Sequence, residues 1–156
     1  MSVIIQGTEL RSIALGRRAA KTQALSAATL PIFTIAGGEV LVTSFYLRAT
    51  VTIAAAGGTL ALQSNPTTGD TASSIVTATD LGTSDATAGT IIGVREQAVA
   101  DASAVPFIFS ESGVALTNLV VTTGQLELVG ASGIDGTVEA VVTWIPLTDG
   151  ATLVAA

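Results

Sequence analysis

The stretch EVLVTSFYLRATVTIAAAGGTLALQS, residues 39–64, decides the fold class of this chain. Its odd positions are apolar except for one threonine: Leu41, Thr43, Phe45, Leu47, Ala49, Val51 and Ile53. The even positions 44–52 carry Ser, Tyr, Arg and Thr, and this period of two predicts a strand with one buried face. At about 3.3 Å per residue, residues 39–53 would span roughly 50 Å, so we expect a bend or bulge within the strand.

The end of the same stretch predicts a turn and a returning strand. Residues 54–58 finish in Gly57-Gly58, and paired glycines accept the backbone angles of a tight turn. Residues 59–64 then return with Leu60 and Leu62 facing the core. We therefore expect residues 39–64 to form a long hairpin onto which the rest of the chain packs.

Other apolar or alternating runs predict further strands separated by turn residues. They cover residues 30–36, 74–81, 90–100, 105–110, 114–122, 125–129 and 137–147. The run 90–100 also fits a short helix, although we favour a strand. About eight short strands at regular spacing predict an all-β fold, an antiparallel β-sandwich or jelly roll.

Two of these runs make specific predictions about burial. In residues 125–129, Leu126 and Leu128 face the core and Glu127 faces solvent. Trp144, the sole tryptophan, shares one face with Val138, Ala140 and Val142, so we expect it to anchor the core.

The composition excludes several kinds of chemistry. The chain has no Cys, hence no disulfide or thiolate metal site, and no His, the commonest general base and metal ligand. Charged residues are 12% of the chain, whereas about 25% is usual. So little charge fits a protein that buries much of its surface against neighbours, and it also fits one that Thr, Ser and Gln keep in solution.

Residues 1–29 differ from the rest of the chain in charge. Arg11, Arg17, Arg18 and Lys21 are four of its six basic residues, and Glu9 is the only acid there, so this segment carries +3 and residues 30–156 carry −9. We predict an N-terminal arm lying outside the core over residues 1–29, followed by one β-sandwich domain over residues 30–156. A short first strand at residues 3–5 and a helix through residues 17–25 are alternatives for the arm.

Catalytic and ligand-binding sites are not indicated. Asp80 with Asp85, and Glu96 with Asp101, could act as paired carboxylates, but solvated loop acids explain them more simply. The calcium-loop and phosphate-loop patterns are absent. The net charge of −6 and the 4% aromatic content argue against nucleic acid. Because residues 49–69 are interrupted by Gly, Asn and Pro, we expect no membrane span. The apolar stretch that follows the basic residues 17–21 is interrupted by Gln23, Ser26, Thr29 and Pro31, so we also expect no targeting segment. We predict no enzyme activity, no cofactor and no metal.

Two stretches together resemble a known kind of protein. They are LPIFTIAGGEVLVTSFYLRAT, residues 30–50, and GTVEAVVTWIPLTDGATLVAA, residues 136–156. The pair resembles small structural proteins of tailed-bacteriophage virions, of the head-decoration (cement) or minor-tail kind. The resemblance covers about a third of the chain, and its motifs are structural rather than catalytic.

The resemblance implies a β-sandwich or jelly-roll core and a place on the capsid surface of the virion. The implied partners are the major capsid protein and further copies of this chain, in an oligomer such as a trimer. The expected function is to bind the outer head surface and stabilise the shell. From charge alone, Arg11, Arg17, Arg18 and Lys21 are the predicted partner-binding residues. The alternatives are a minor tail or head–tail structural protein, and a carbohydrate- or receptor-binding β-sandwich module.

Overall fold

A computed structural model describes residues 7, 14–54, 58–68, 71–81, 84–94, 107–110 and 118–156. The described residues form eleven strands: β1 (Arg17–Ala24), β2 (Thr29–Ala36), β3 (Val40–Val51), β4 (Thr59–Pro66), β5 (Ser73–Asp80), β6 (Ile91–Val94), β7 (Phe107–Ser110), β8 (Leu119–Val121), β9 (Gly124–Gly130), β10 (Thr137–Pro146) and β11 (Thr152–Ala155). The all-β prediction is confirmed, and the number of strands exceeds the predicted eight or so.

The strands form two antiparallel sheets that face each other across one core. One sheet has the order β1-β10-β3-β6-β7, with β8 also paired to β3, and the other has the order β11-β2-β9-β4-β5. Strand β1 pairs with β10, β2 with β9, β3 with β8 and β4 with β5. These are the pairings of one long antiparallel hairpin that turns at β4–β5 and is folded into two sheets. This connectivity is that of a jelly roll.

The predicted bend in the long strand is confirmed, and it changes which side chains are buried. Ser44 is opposite Thr143 and Val42 is opposite Trp144, which leaves Thr43 without a partner residue. The Thr43 hydroxyl donates to the carbonyl of Thr143 at 3.1 Å across this bulge. A one-residue bulge reverses the alternation of the strand. The prediction that Leu41 faces the core is therefore wrong.

The buried side chains of β3 follow this reversal. Val40 and Val42 are buried before the bulge, and Phe45, Leu47 and Ala49 are buried after it. A second register shift near the end of β3 leaves Val51 exposed, contrary to the prediction.

The predicted hairpin at residues 39–64 is wrong. Strand β3 lies in the sheet with β10, whereas β4 pairs with β5 and β9 in the other sheet. The connection therefore crosses the sandwich, and Leu60 and Leu62 are buried as predicted, but from the opposite sheet. Gly58 packs so closely on the next loop that a Cβ there would overlap the backbone nitrogen of Ile134.

The core lies between the two sheets. Its largest fully buried side chains are Phe33, Phe45, Ile32, Ile35, Leu47, Leu60, Leu62, Ile92, Leu126, Leu128, Val40 and Val42. Trp144 belongs to the same cluster and is only 4% exposed, which confirms it as a core residue. Burial of this apolar surface is the main stabilising contribution to the fold.

Residues 17–29 differ from the predicted arm and from the alternative helix. Strand β1 pairs with β10 at eight consecutive positions, and Leu25 is buried in the core cluster. An edge strand carries charged residues readily because one side of it faces water, which is why its charge suggested an arm. The remainder of the predicted arm, residues 1–13 apart from Gly7, lies outside the described residues and stays a prediction.

Candidate interaction surface at the edge of strand β1

Strand β1 forms one border of its sheet and carries three of the four predicted partner-binding residues. Its sequence is RRAAKTQA, with Arg17, Arg18 and Lys21 and no acid. Arg11, the fourth, lies outside the described residues. We call the side of β1 that faces away from β10, together with the side chains of these three cations, the β1 edge. It is the most strongly basic feature of the described structure.

The three cations lie on opposite faces of the sheet. Arg17 is opposite Trp144 and Lys21 is opposite Ala140, and both of these β10 residues belong to the core. Arg17 and Lys21 are therefore on the inner face of β1, at the open border of the sandwich. Arg18 is opposite Thr143 and lies on the outer face. The β1 edge thus presents positive charge on both sides of the sheet.

The inner-face cations are held by specific contacts. The guanidinium carbon of Arg17 lies 5.4 Å from the centre of the Trp144 ring, within the range of a cation–π interaction. The ammonium group of Lys21 donates to the carbonyl of Pro31 on β2 at 2.7 Å. That hydrogen bond joins the two sheets at this border. An ammonium group has three donors, so two remain for another partner.

The outer face has a small charge network. Glu139 on β10 accepts a 2.6 Å ion pair from Arg48 on β3 and lies 3.8 Å from Arg18. The side chains of Arg18 and Arg48 are more than half exposed. One carboxylate therefore serves two arginines, and this face keeps an excess of positive charge. The alternation of residues 44–52 predicts Arg48 on the solvent face of its strand. It does not connect Arg48 with Arg18, because their proximity depends on β10 lying between β1 and β3.

The four cations of the described residues are all in this one sheet, three on β1 and Arg48 on β3. The protein as a whole carries −6. Of the seven acids among the described residues, only Glu139 lies on a strand of this sheet, so the described charge is polarised toward the β1 edge. Such polarisation steers an acidic partner to the positive side.

Glu127 is the buried charged residue of the described core region, and its environment corrects the sequence prediction. It alternates with the core residues Leu126 and Leu128, as predicted, but it is 3% exposed rather than facing open solvent. The side-chain amides of Gln63 and Asn65 donate to its two carboxylate oxygens at 2.6 and 3.1 Å. These two hydrogen bonds from β4 satisfy the buried carboxylate on β9.

The structure describes one of the two candidate carboxylate pairs, Asp80 with Asp85, and the loop acid Asp135. No group of three His, Cys, Asp or Glu residues among the described residues could hold a metal ion. Asp135 accepts a hydrogen bond from the backbone of Ala54 at 2.8 Å, as a loop residue does. Asp80 and Asp85 both have interaction partners, and Glu96 and Asp101 lie outside the described residues.

The outer face of the same sheet has a shallow hollow next to the start of β1. It encloses about 430 Å³ and is lined by Ala14, Leu15, Thr43, Ser44, Thr143 and Ile145. The lining has hydroxyl groups and apolar side chains but no charged group. The hollow therefore lacks the titratable groups that an acid–base site needs.

The two stretches that carry the phage resemblance are neighbours in the structure. Residues 30–50 contain most of β2 and β3, residues 136–156 contain β10 and β11, and β3 pairs with β10 while β2 pairs with β11. The turns between the strands also touch, since a Cβ on Gly38 would lie 2.5 Å from the side chain of Thr148. The two stretches therefore form one structural unit that spans both sheets.

Comparison with protein-family models, with curated proteins and with solved structures finds no match to this chain. Among the described residues, no helix is long and apolar enough to cross a membrane.

Proposed function

We propose that this chain is a structural protein of a tailed-bacteriophage virion, a decoration protein that binds the outer head surface and stabilises the shell. The observation that carries the proposal is the polarised charge, with three cations on one edge strand of an otherwise acidic sandwich. A rigid jelly roll with one adhesive border suits a protein that works by holding neighbours together. Residues 30–50 and 136–156 resemble structural proteins of phage virions, which supports a virion protein as the neighbour.

The mechanism is adhesion without catalysis, with neither cofactor nor metal. The two-sheet core provides the rigid body, and Arg17, Arg18 and Lys21 pair with carboxylates of the major capsid protein or of another copy of this chain. Arginine and lysine form their strongest hydrogen bonds with ionised acceptors. Many copies on one shell make individually weak contacts collectively strong. Such binding weakens as salt is raised, because much of it is electrostatic.

Binding to purified heads of the phage that encodes the chain tests the proposal. The variant in which Arg17, Arg18 and Lys21 are all changed to Gln should sediment with heads at least tenfold less than the natural protein. The matched control is Arg48→Gln, which removes a cation from the same sheet but from an inner strand, and it should bind nearly as well. Equal binding of the triple variant and the natural protein would refute the role of β1.

The same experiment separates the alternatives. Saturable binding to tails rather than to heads would make the chain a tail or head–tail structural protein. The jelly roll is also found in lectin domains, and fold alone does not decide function. Lack of binding to any part of the virion, together with clear hits on a glycan array, would favour a carbohydrate-binding module.

A further inference from the structure

Within the described part of the chain, the β1 edge has backbone groups without a hydrogen-bonding partner as well as charge. The N–H of Leu25, just after β1, donates to the carbonyl of Gly136 at 2.9 Å, on the β10 side. Hydrogen-bonding direction alternates along an antiparallel strand, and the register of β1 on β10 has no shift from Arg17 to Ala24. The odd-numbered residues of β1 therefore bond to β10, and the even-numbered residues direct their N–H and C=O groups outward.

Three residues supply these outward groups. They are Arg18, Ala20 and Thr22, because the carbonyl of Ala24 accepts a hydrogen bond from the side chain of Gln23. No described strand pairs with β1 on this side, and no residue of β1 is buried. An edge with free donors and acceptors is a template for an added strand.

We propose that the β1 edge binds an extended acidic segment of a partner protein, which adds to the six-stranded sheet as a new antiparallel strand beside β1. Backbone hydrogen bonds to Arg18, Ala20 and Thr22 hold the segment, and carboxylates facing Arg17, Arg18 and Lys21 select it. The proposal deepens the proposed function by stating how the same border holds its partner.

Charge complementarity identifies the occupant. The β1 strand of a second copy is a poor partner because it carries three cations and no acid. An antiparallel pairing centred on Ala19 would place Arg17 directly opposite Lys21, and like charges opposite each other destabilise a sheet. The edge therefore favours a segment rich in Asp or Glu over its own equivalent.

The positions of the cations fix the spacing of the acids. Arg17 and Lys21 lie on the inner face about 13 Å apart, and Arg18 lies on the outer face. On an antiparallel guest strand, the residue opposite Lys21 is followed three and four positions later by the residues opposite Arg18 and Arg17. The preferred segment therefore has acids at positions i, i+3 and i+4.

Two capped peptides of equal composition and charge test this spacing on the full-length protein. TETVEEVT has acids at i, i+3 and i+4, whereas ETEVTVTE has no two acids spaced by one, three or four positions. We expect TETVEEVT to bind at least tenfold more tightly in isothermal titration calorimetry. Equal affinities, or no measurable binding of TETVEEVT, would overturn the proposal.

A backbone variant separates strand addition from simple charge attraction. Ala20→Pro removes one outward N–H while leaving every charge and the ladder to β10, since proline is tolerated where an edge N–H faces solvent. Ala20→Pro should weaken the binding of TETVEEVT at least tenfold, whereas Ala20→Val should leave it unchanged. Thr22→Pro with Thr22→Val provides a second matched pair if Ala20→Pro loses its native circular dichroism. Unchanged affinity in a folded proline variant would refute strand addition. Because no virion is used, the result is independent of whether the protein is found on phage heads.

Discussion

Replacing Glu127 by Ala should destabilise the protein strongly, although the alternation of residues 125–129 predicts that this charged side chain faces solvent. The carboxylate is 3% exposed and accepts hydrogen bonds from Gln63 and Asn65. A hydrogen bond to a charged group contributes about 1.5–3 kcal/mol. Since Gln63 and Asn65 are only half-buried, water recovers part of this loss. We expect a decrease of about 2–4 kcal/mol in the free energy of unfolding.

Urea unfolding followed by tryptophan fluorescence measures this decrease, with an unchanged m-value showing that stability alone has changed. The matched control is Glu139→Ala, which removes the same group from an ion pair with half-exposed arginines. Such pairs contribute at most about 1 kcal/mol. The stability of Glu127→Gln should lie between those of the natural protein and Glu127→Ala. The carbonyl oxygen of the substituted side chain still accepts a hydrogen bond from Gln63 or Asn65, whereas its NH2 group faces the donor of the other residue. A loss for Glu127→Ala no larger than for Glu139→Ala would show that the hydrogen bonds from Gln63 and Asn65 do not stabilise the fold.

Three further substitutions test the packing of the sandwich. Phe45→Ala should cost about 3–5 kcal/mol in urea unfolding, because it empties a fully buried aromatic site; a loss below about 1 kcal/mol would contradict its place in the core. Gly58→Ala should cost about 1–3 kcal/mol, because the added methyl overlaps the backbone of Ile134, and an unchanged denaturation midpoint would argue against that close approach. Lys21→Met should cost about 1 kcal/mol through loss of its hydrogen bond to the carbonyl of Pro31; equal stability of Lys21→Met and the natural protein would show that this bond does not tie the sheets.

The alternation of apolar residues was enough to predict strands and a sandwich, but not the exact burial along β3. Phe45, Leu47 and Ala49 follow the simple period of two, whereas Val40 and Val42 are buried in the opposite phase. The shift arises at the Thr43 bulge, which is stabilised by a hydrogen bond to a strand 100 residues away. The local sequence pattern contains no information about that partner, so it predicts a bulge but not its position.

The pairing of strands was the least predictable part of the fold. A glycine pair after a long strand indicates a hairpin, yet β3 and β4 lie in different sheets. The choice depends on which arrangement buries Leu60 and Leu62 together with the inner face of β3, and that is a property of the whole core.

The sequence predicts which residues belong to the candidate surface but not how they are arranged. Charge alone singled out Arg17, Arg18 and Lys21, and the structure places them on one edge strand. Charge could not show that the segment pairs with β10, that Arg17 covers Trp144 or that Lys21 reaches β2. Those contacts join parts of the chain that are far apart in sequence.

The proposed decoration role requires many copies of this chain on each phage head. Quantitative mass spectrometry of purified virions measures this, as the ratio of this chain to the major capsid protein. For a decoration protein we expect a ratio close to that of a component that covers the whole shell. A handful of copies per particle would contradict the decoration role and favour the tail, and absence from the particle would contradict the structural role altogether.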